Sequence, residues 1–174
     1  HISELIQQNV LVPCEIVGAN ERGRVDFGDS SGGSDWEPIA YYVRYGQGRK
    51  TVFYCHTHEH CDKIKRELKN LGFDSEILSS KVSKEKRKQI IDDYASGKIK
   101  TIINCMVLTE GWDSDVDVII ITRACLDKKT YRQIAGRAMR KSRAAKTLCY
   151  IVDLTGAHTE HGTPDADQWY SLEN

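Results

Sequence analysis

This sequence has no net charge, no membrane-length apolar run, no phosphate-cradling loop and no internal repeat. Lysine plus arginine and aspartate plus glutamate each number 25 in 174 residues. That removes the bulk argument for a nucleic-acid binder, a strongly positive net charge, so any contact with a polyanion has to be local. No apolar stretch approaches the roughly 20 residues that span a bilayer, and no membrane partner is expected. The N-terminus, HISELIQQ, has neither an initiator methionine nor the charged-then-apolar pattern of a signal peptide, so the chain reads as cut from something longer. The GxxxxGKS/T pattern of nucleotide phosphate loops is absent. GxGxxG is absent too, which counts against a dinucleotide-binding enzyme.

What is present is ordinary globular material, 40% apolar and 29% charged, in a length that suits one domain with a proper core. Six cysteines stand at 14, 55, 61, 105, 125 and 149, several inside apolar runs such as TIINC and LCYIVD. They read as reduced core thiols of an intracellular, cytoplasmic protein. From Thr51 onward short apolar runs alternate with helical patterns, the signature of a parallel sheet covered on both faces. Strands are expected at Thr51 to Cys55, Ser75 to Leu78, Thr101 to Asn104, Asp117 to Thr122 and Leu148 to Asp153. Cys61, Ile64, Leu68 and Leu71 recur at helical spacing, with Gly72 at the cap position. Ser83 caps a second helix that stops at Gly97, and a third runs from near Lys129 through Arg140. Before Thr51 the chain is less regular. VLVPCEIV is a strand or an extended linker, with Pro13 favouring an edge. DSSGGS, from Asp29, is a connector, and Trp36, Ile39, Ala40 and Val43 mark a short amphipathic helix. The polar tail after Asp153 wraps the surface.

The most informative segment is YRQIAGRAMRKS, Tyr131 to Ser142. Steps of four and three residues place Gln133, Arg137 and Arg140 within about 60° on one helix face, with Gly136 beside them. Tyr131, Ala135, Ala138 and Met139 fall on the other side and suit packing against a sheet. A guanidinium is a planar fork that stays charged and grips phosphate through two parallel hydrogen bonds. At a γ-phosphate it neutralises charge that grows in the transition state, worth roughly 10³ to 10⁵ in rate. Two arginines on an arbitrary helix are more often merely solvated. The segment just upstream, TIINCMVLTEGWDSDVDVIII, shifts that balance. It sets Thr109, Glu110, Gly111 and Asp113 between two buried strands, and loops at strand ends face the ligand crevice of open α/β sheets.

Together these segments resemble motifs V and VI of superfamily 2 helicases. TEGWD matches the TEGxD core, QIAGRAMR matches QxxGRxxR, and TVFYCHTHEHC resembles motif IV. The opening LVPCEIV and closing HGTPDADQWYSLE further resemble a phage and bacterial DEAD/DEAH-like subgroup related to restriction-enzyme motor subunits. The resemblance implies a RecA-like, three-layer α/β/α C-terminal lobe over 36–153. Residues 1–35 would be an inter-lobe linker and extension, and 154–174 a wrapping tail. It also implies ATP as ligand, with Mg²⁺ held by an absent N-terminal RecA-like lobe, and nucleic acid as partner, DNA favoured over RNA. By the same resemblance Arg140 is the arginine finger, Arg137 a second γ-phosphate contact and Gln133 the γ-phosphate sensor. Gly111, Asp113 and Gly136 meet the nucleotide, while Thr109, Thr57, Ser80 and Lys81 meet the nucleic-acid backbone. The sequence departs from the family pattern in having Ser79 and Ser80 where a glycine is usual. No DExx carboxylate pair occurs, so this chain alone is expected not to hydrolyse ATP.

CHTHEHC packs three histidines and two cysteines into seven residues but lacks the paired spacing of structural zinc sites, and no metal is expected there. His158 and His161 read as tail residues, and Asp92 and Asp93 as a solvated helix face. The alternative from another functional class is a RecA-like binding module no longer coupled to ATP. The retained Gln133, Arg137 and Arg140 argue against it.

Overall fold

The centre of the molecule is made by TVFYC, TIINC, VIII and CYIVD, in which Tyr150 alone is more than marginally exposed. Mostly apolar runs of this kind need cover on both faces, towards which alternate side chains point. The structure, a computed structural model, describes residues 1–18, 37–105, 115–122 and 127–165. In chain order the elements are α1 (Ile2–Gln7), β1 (Cys14–Val17), α2 (Glu37–Tyr41) running into a π-helical turn (Tyr42–Gly46), β2 (Thr51–Cys55) and α3 (His58–Asn70). There follow β3 (Glu76–Leu78), α4 (Lys84–Ala95), β4 (Thr101–Cys105), β5 (Val118–Ile121), α5 (Lys128–Met139), β6 (Cys149–Asp153) and α6 (Ala157–His161). The strands pair in the order β1-β6-β5-β2-β4-β3, every pair parallel.

Val52, Tyr54, Ile102, Ile119, Ile121 and Ile151 point to one face, where Ile90 and Tyr94 of α4 and Tyr131, Ile134, Ala135, Ala138 and Met139 of α5 cover them. Phe53, Cys55, Ile103, Val118, Ile120 and Val152 point to the other, beneath Ile39, Tyr42 and Cys61, Ile64 and Leu68 of α3. The result is the expected three-layer α/β/α arrangement.

All five strands anticipated from Thr51 onward are present, each within one residue of its expected ends. Of VLVPCEIV, Cys14–Val17 form an edge strand, with the Pro13 carbonyl accepting from Cys149 N at 3.1 Å. The first predicted helix begins earlier than its apolar spacing indicated, because the Thr57 hydroxyl accepts from His60 N at 3.1 Å and caps it. The Ser83 hydroxyl caps α4 as expected, and Gly72 and Gly97 close α3 and α4 at φ 83° and 82°. The π-helical turn was not foreseen. It presses Gly46 so tightly that a Cβ there would lie 2.6 Å from the Tyr42 ring and 2.9 Å from the Thr51 hydroxyl.

Candidate functional site

Helix α5 starts on Asp127, whose carboxylate accepts from Thr130 N at 2.9 Å and from Thr130 Oγ1 at 2.7 Å. Those bonds hold its pKa below the ordinary carboxylate value. The apolar face predicted for this helix is the one buried. Gln133 is exposed, and Gly136 and Arg137 are half-buried along its open side. Arg137 stands near Tyr54, whose phenol burial pushes up to about 12 against the opposing pull of the Arg137 charge. A Cβ on Gly136 would meet no described atom within 4 Å.

One expectation needs correcting: the helix ends at Met139, and Arg140 adopts φ −60° and ψ 131°. The competitor is the chain before β1. Val12 N donates to the Met139 carbonyl at 2.7 Å and Lys141 N to the Val10 carbonyl at 3.3 Å, so Leu11 and Arg140 form an antiparallel bridge. The rigid line therefore carries Gln133 and Arg137, about 6 Å apart along the axis. Arg140, exposed, follows on extended backbone.

The loop after Arg140 grips the segment that leads into β5. Ser142 Oγ and Arg143 Nη1 both bond Asp115, and Arg143 Nη2 reaches Asp117 at 2.6 Å. Lys146, its side chain only 1% exposed, donates to the Val116 carbonyl at 2.7 Å and lies 3.4 Å from Asp115. Burial would raise the Asp115 carboxyl, but Ser142, Lys146 and Arg143 more than offset it and hold its pKa down. Burial in turn lowers the Lys146 ammonium, against the pull of Asp115. Asp117 also accepts from Lys50 N at 3.1 Å, tying β5 to β2. Sequence reasoning missed this cluster. Its only signal was a basic run, RKSRAAK, that has to return beside an acidic one, DSDVD.

Thr57, Ser80 and Lys81 lie at the opposite edge of the sheet. Thr57 follows β2 and the other two follow β3; β2, β4 and β3 are adjacent and parallel, so their C-terminal ends align. The Thr57 hydroxyl accepts in the cap and keeps its proton to donate outward. In the loop after β3 the Ser79 hydroxyl is turned inward and accepts from Lys81 N at 3.3 Å, leaving Ser80 and Lys81 exposed. The serine at the usual glycine position thus serves the turn itself. Thr109, Gly111 and Asp113 lie outside the described residues. Cys105, before them, ends β4 at the edge of Thr57, whereas Asp115, after them, stands at the edge of Arg140.

Among the described residues no group of three or more His, Cys, Asp or Glu side chains is arranged to hold a metal, and Cys55, Cys61 and Cys105 are buried. No helix of the described residues is long and apolar enough to cross a membrane. His158 does more than ride on the surface. Its backbone N and Nδ1 each bond the fully buried Asp153 carboxylate at 2.7 Å, and Thr155 bonds the same group through N and Oγ1. Burial would raise Asp153, yet these four bonds keep its pKa below the usual value.

A six-stranded, wholly parallel sheet covered by helices on both faces is the architecture of a RecA-like lobe. The chain belongs to the helicase conserved C-terminal domain family, whose model matches residues 36–142. It is 28% identical over 144 residues, 82% of its length, to a 51.5 kDa protein of a Lactococcus phage. It is 26% identical over 169 residues to irc3 of Schizosaccharomyces pombe, by name a mitochondrial ATP-dependent helicase. It spans 30% of the first relative and 28% of the second. Among solved structures, a fragment of an HsdR subunit of a type I restriction enzyme from Vibrio vulnificus superposes with a TM-score of 0.70 at 20% identity, covering 97% of this chain and 37% of that one. Dbp5 of S. cerevisiae, bound to RNA and ADP BeF3, superposes at 0.64 and 18% identity over 91% of this chain and 40% of its own. At such identities these structures establish the fold.

Proposed function

We propose that this chain is the second motor lobe of a nucleic-acid-dependent ATPase and that its Arg140 is the arginine finger. One observation carries the reading: Arg140 directly follows the helix that presents Gln133 and Arg137, while Thr57, Ser80 and Lys81 share the far edge of the sheet. Arg140 neutralises charge on the γ-phosphate as the bond to the leaving group lengthens, and Arg137 holds the same group through its fork. Gln133 senses the γ-phosphate, Gly136 leaves room for its approach, and Gly111 and Asp113 meet the nucleotide. The β-phosphate cradle and the Mg²⁺ ligands belong to a phosphate-loop lobe. This chain alone is therefore catalytically silent.

Joining this lobe to a phosphate-loop lobe should produce nucleic-acid-stimulated ATP hydrolysis. Arg140→Ala should lower it by roughly 10³-fold or more, and an unchanged rate would sink the assignment. Thr109, Thr57, Ser80 and Lys81 bind the backbone of the tracked strand. Lys81→Ala should reduce the slope of log K against log salt by about 1. Duplex DNA is the first polymer to test, on the resemblance to restriction motors. Equal stimulation by RNA would remove that preference.

A further inference from the structure

A finger that acts only in the transition state has to be held to within about an ångström, and a displacement of that size costs on the order of 10²-fold in rate. The C-terminal turn of a helix is a poor mount for such a group, because its last carbonyls lack intrahelical partners and the end frays. In this lobe the end of α5 does not depend on the helix for its hold. Val12 N satisfies the Met139 carbonyl at 2.7 Å, Lys141 N donates to the Val10 carbonyl at 3.3 Å, and the Lys141 ammonium bonds the Asn9 side-chain oxygen. Asn9 is the only non-glycine residue with positive φ among those described, at 63°. That conformation is sparsely populated outside glycine and persists where surrounding bonds fix it. From behind, Ser142 N donates to the Arg140 carbonyl at 3.1 Å, and Arg143 and Lys146 anchor the loop to Asp115 and Asp117.

We infer that Asn9–Val12 is a positioning element for Arg140: the strand-like pairing of Val10 and Val12 around the Leu11–Arg140 bridge sets where the guanidinium points. The inference rests on the motor-lobe reading and deepens it. These residues act through the backbone on either side of Arg140. They also lie in the stretch that leads into the lobe, so strain arriving along that stretch is delivered to the finger before it reaches the sheet.

The test uses this lobe joined to a phosphate-loop lobe, comparing the parent with Arg140→Ala, Lys141→Pro and Asn9→Gly. Lys141→Pro deletes the donor to Val10, and Arg140 at ψ 131° already has the backbone a residue before proline prefers. Asn9→Gly allows the positive φ while removing the contact with the Lys141 ammonium. Both variants should lower kcat by roughly 10- to 100-fold with KM for ATP unchanged, the pattern of an interaction needed only in the transition state. Hydrogen exchange at the Leu11, Val12 and Arg140 amides should quicken in Asn9→Gly, while amides of Tyr131 to Ala135 keep their protection. A merely structural role would instead lower protection throughout α5 and shift KM and melting temperature together. That outcome, or an unchanged kcat in both variants beside a silent Arg140→Ala, overturns the proposal alone. An Arg140→Ala rate equal to the parent's overturns the motor reading and this proposal with it.

Discussion

Replacing Gly136 with alanine should make the isolated lobe more stable and the assembled motor slower. Gly136 sits inside α5, where glycine costs about 1 kcal/mol relative to alanine through backbone entropy. Nothing in the described structure opposes the change, since the added Cβ would touch no atom within 4 Å. The full propensity difference should therefore appear as stability, about 1 kcal/mol, or roughly 2–4 °C in melting temperature for a domain of this size. Urea unfolding of the lobe measures it directly. The midpoint should rise with the slope unchanged, because the surface exposed on unfolding is the same. Once the lobe is joined to a phosphate-loop lobe, the same methyl group should lower ATP turnover if the space above Gly136 is reserved for nucleotide. Opposite signs in the two assays are the signature of a helix position kept bare for function. A destabilised lobe would show that the space is not open and would refute the reasoning at its first step.

Asp153→Asn should cost on the order of 3 kcal/mol at neutral pH, because a buried acceptor of four hydrogen bonds loses its charge and half its accepting capacity. The Asp153 carboxyl is depressed in the fold, so its contribution is present above the unfolded value of about 3.9 and is lost as pH falls through the lower folded one. Acid unfolding between pH 5 and pH 2 should accordingly be shallower in the variant, and equal steepness would count against this role. Within the loop after α5, Lys146→Ala should destabilise by about 3 kcal/mol, leaving Asp115 and the Val116 carbonyl short of a buried donor. Arg143→Ala, whose side chain is 44% exposed, should cost less than about 1 kcal/mol. Equal losses in chemical denaturation would mean that burial is not what distinguishes the two cations.

The elements that could be read from the sequence are those whose cause is local. TVFYC, TIINC and CYIVD are strands because a mostly apolar run must be covered on both sides, and Tyr131, Ala135, Ala138 and Met139 share a face because 3.6 residues make a turn. What was not legible depends on partners distant in the chain. The end of α5 at Met139 is set by Val10 and Val12, more than 120 positions earlier. The π-helical turn depends on the Tyr42 hydroxyl meeting Thr101 Oγ1 at 2.9 Å, 59 positions away. His158 looked like a tail residue because nothing in AHTEHG announces that Asp153 is buried beneath it. The brace on Asp115 and Asp117 pairs two runs that look, separately, like solvated charge.

The separation of the two candidate edges follows from the topology. In a parallel sheet every strand ends at the same edge, so loops that follow strands, such as those holding Thr57, Ser80 and Lys81, gather there. The helix after a strand has to run back, so a residue at its C-terminal end arrives at the opposite edge. With twelve residues in α5 that journey is about 18 Å, too far for direct contact between Arg140 and anything held at Thr57, Ser80 and Lys81. Communication between the edges therefore has to pass through the body of the lobe. A short covalent route runs along β2, from Lys50, hydrogen-bonded to Asp117, to Cys55 and the Thr57 cap, and Arg143 bonds both Asp117 and Asp115. Asp115 is also where Ser142, Arg143 and Lys146 converge, within six residues of Arg140. On the proposed motor reading, a displacement transmitted along that route would meet Arg140 at a clamped point, where the hydrogen bonds leave it little room to dissipate before it moves the guanidinium.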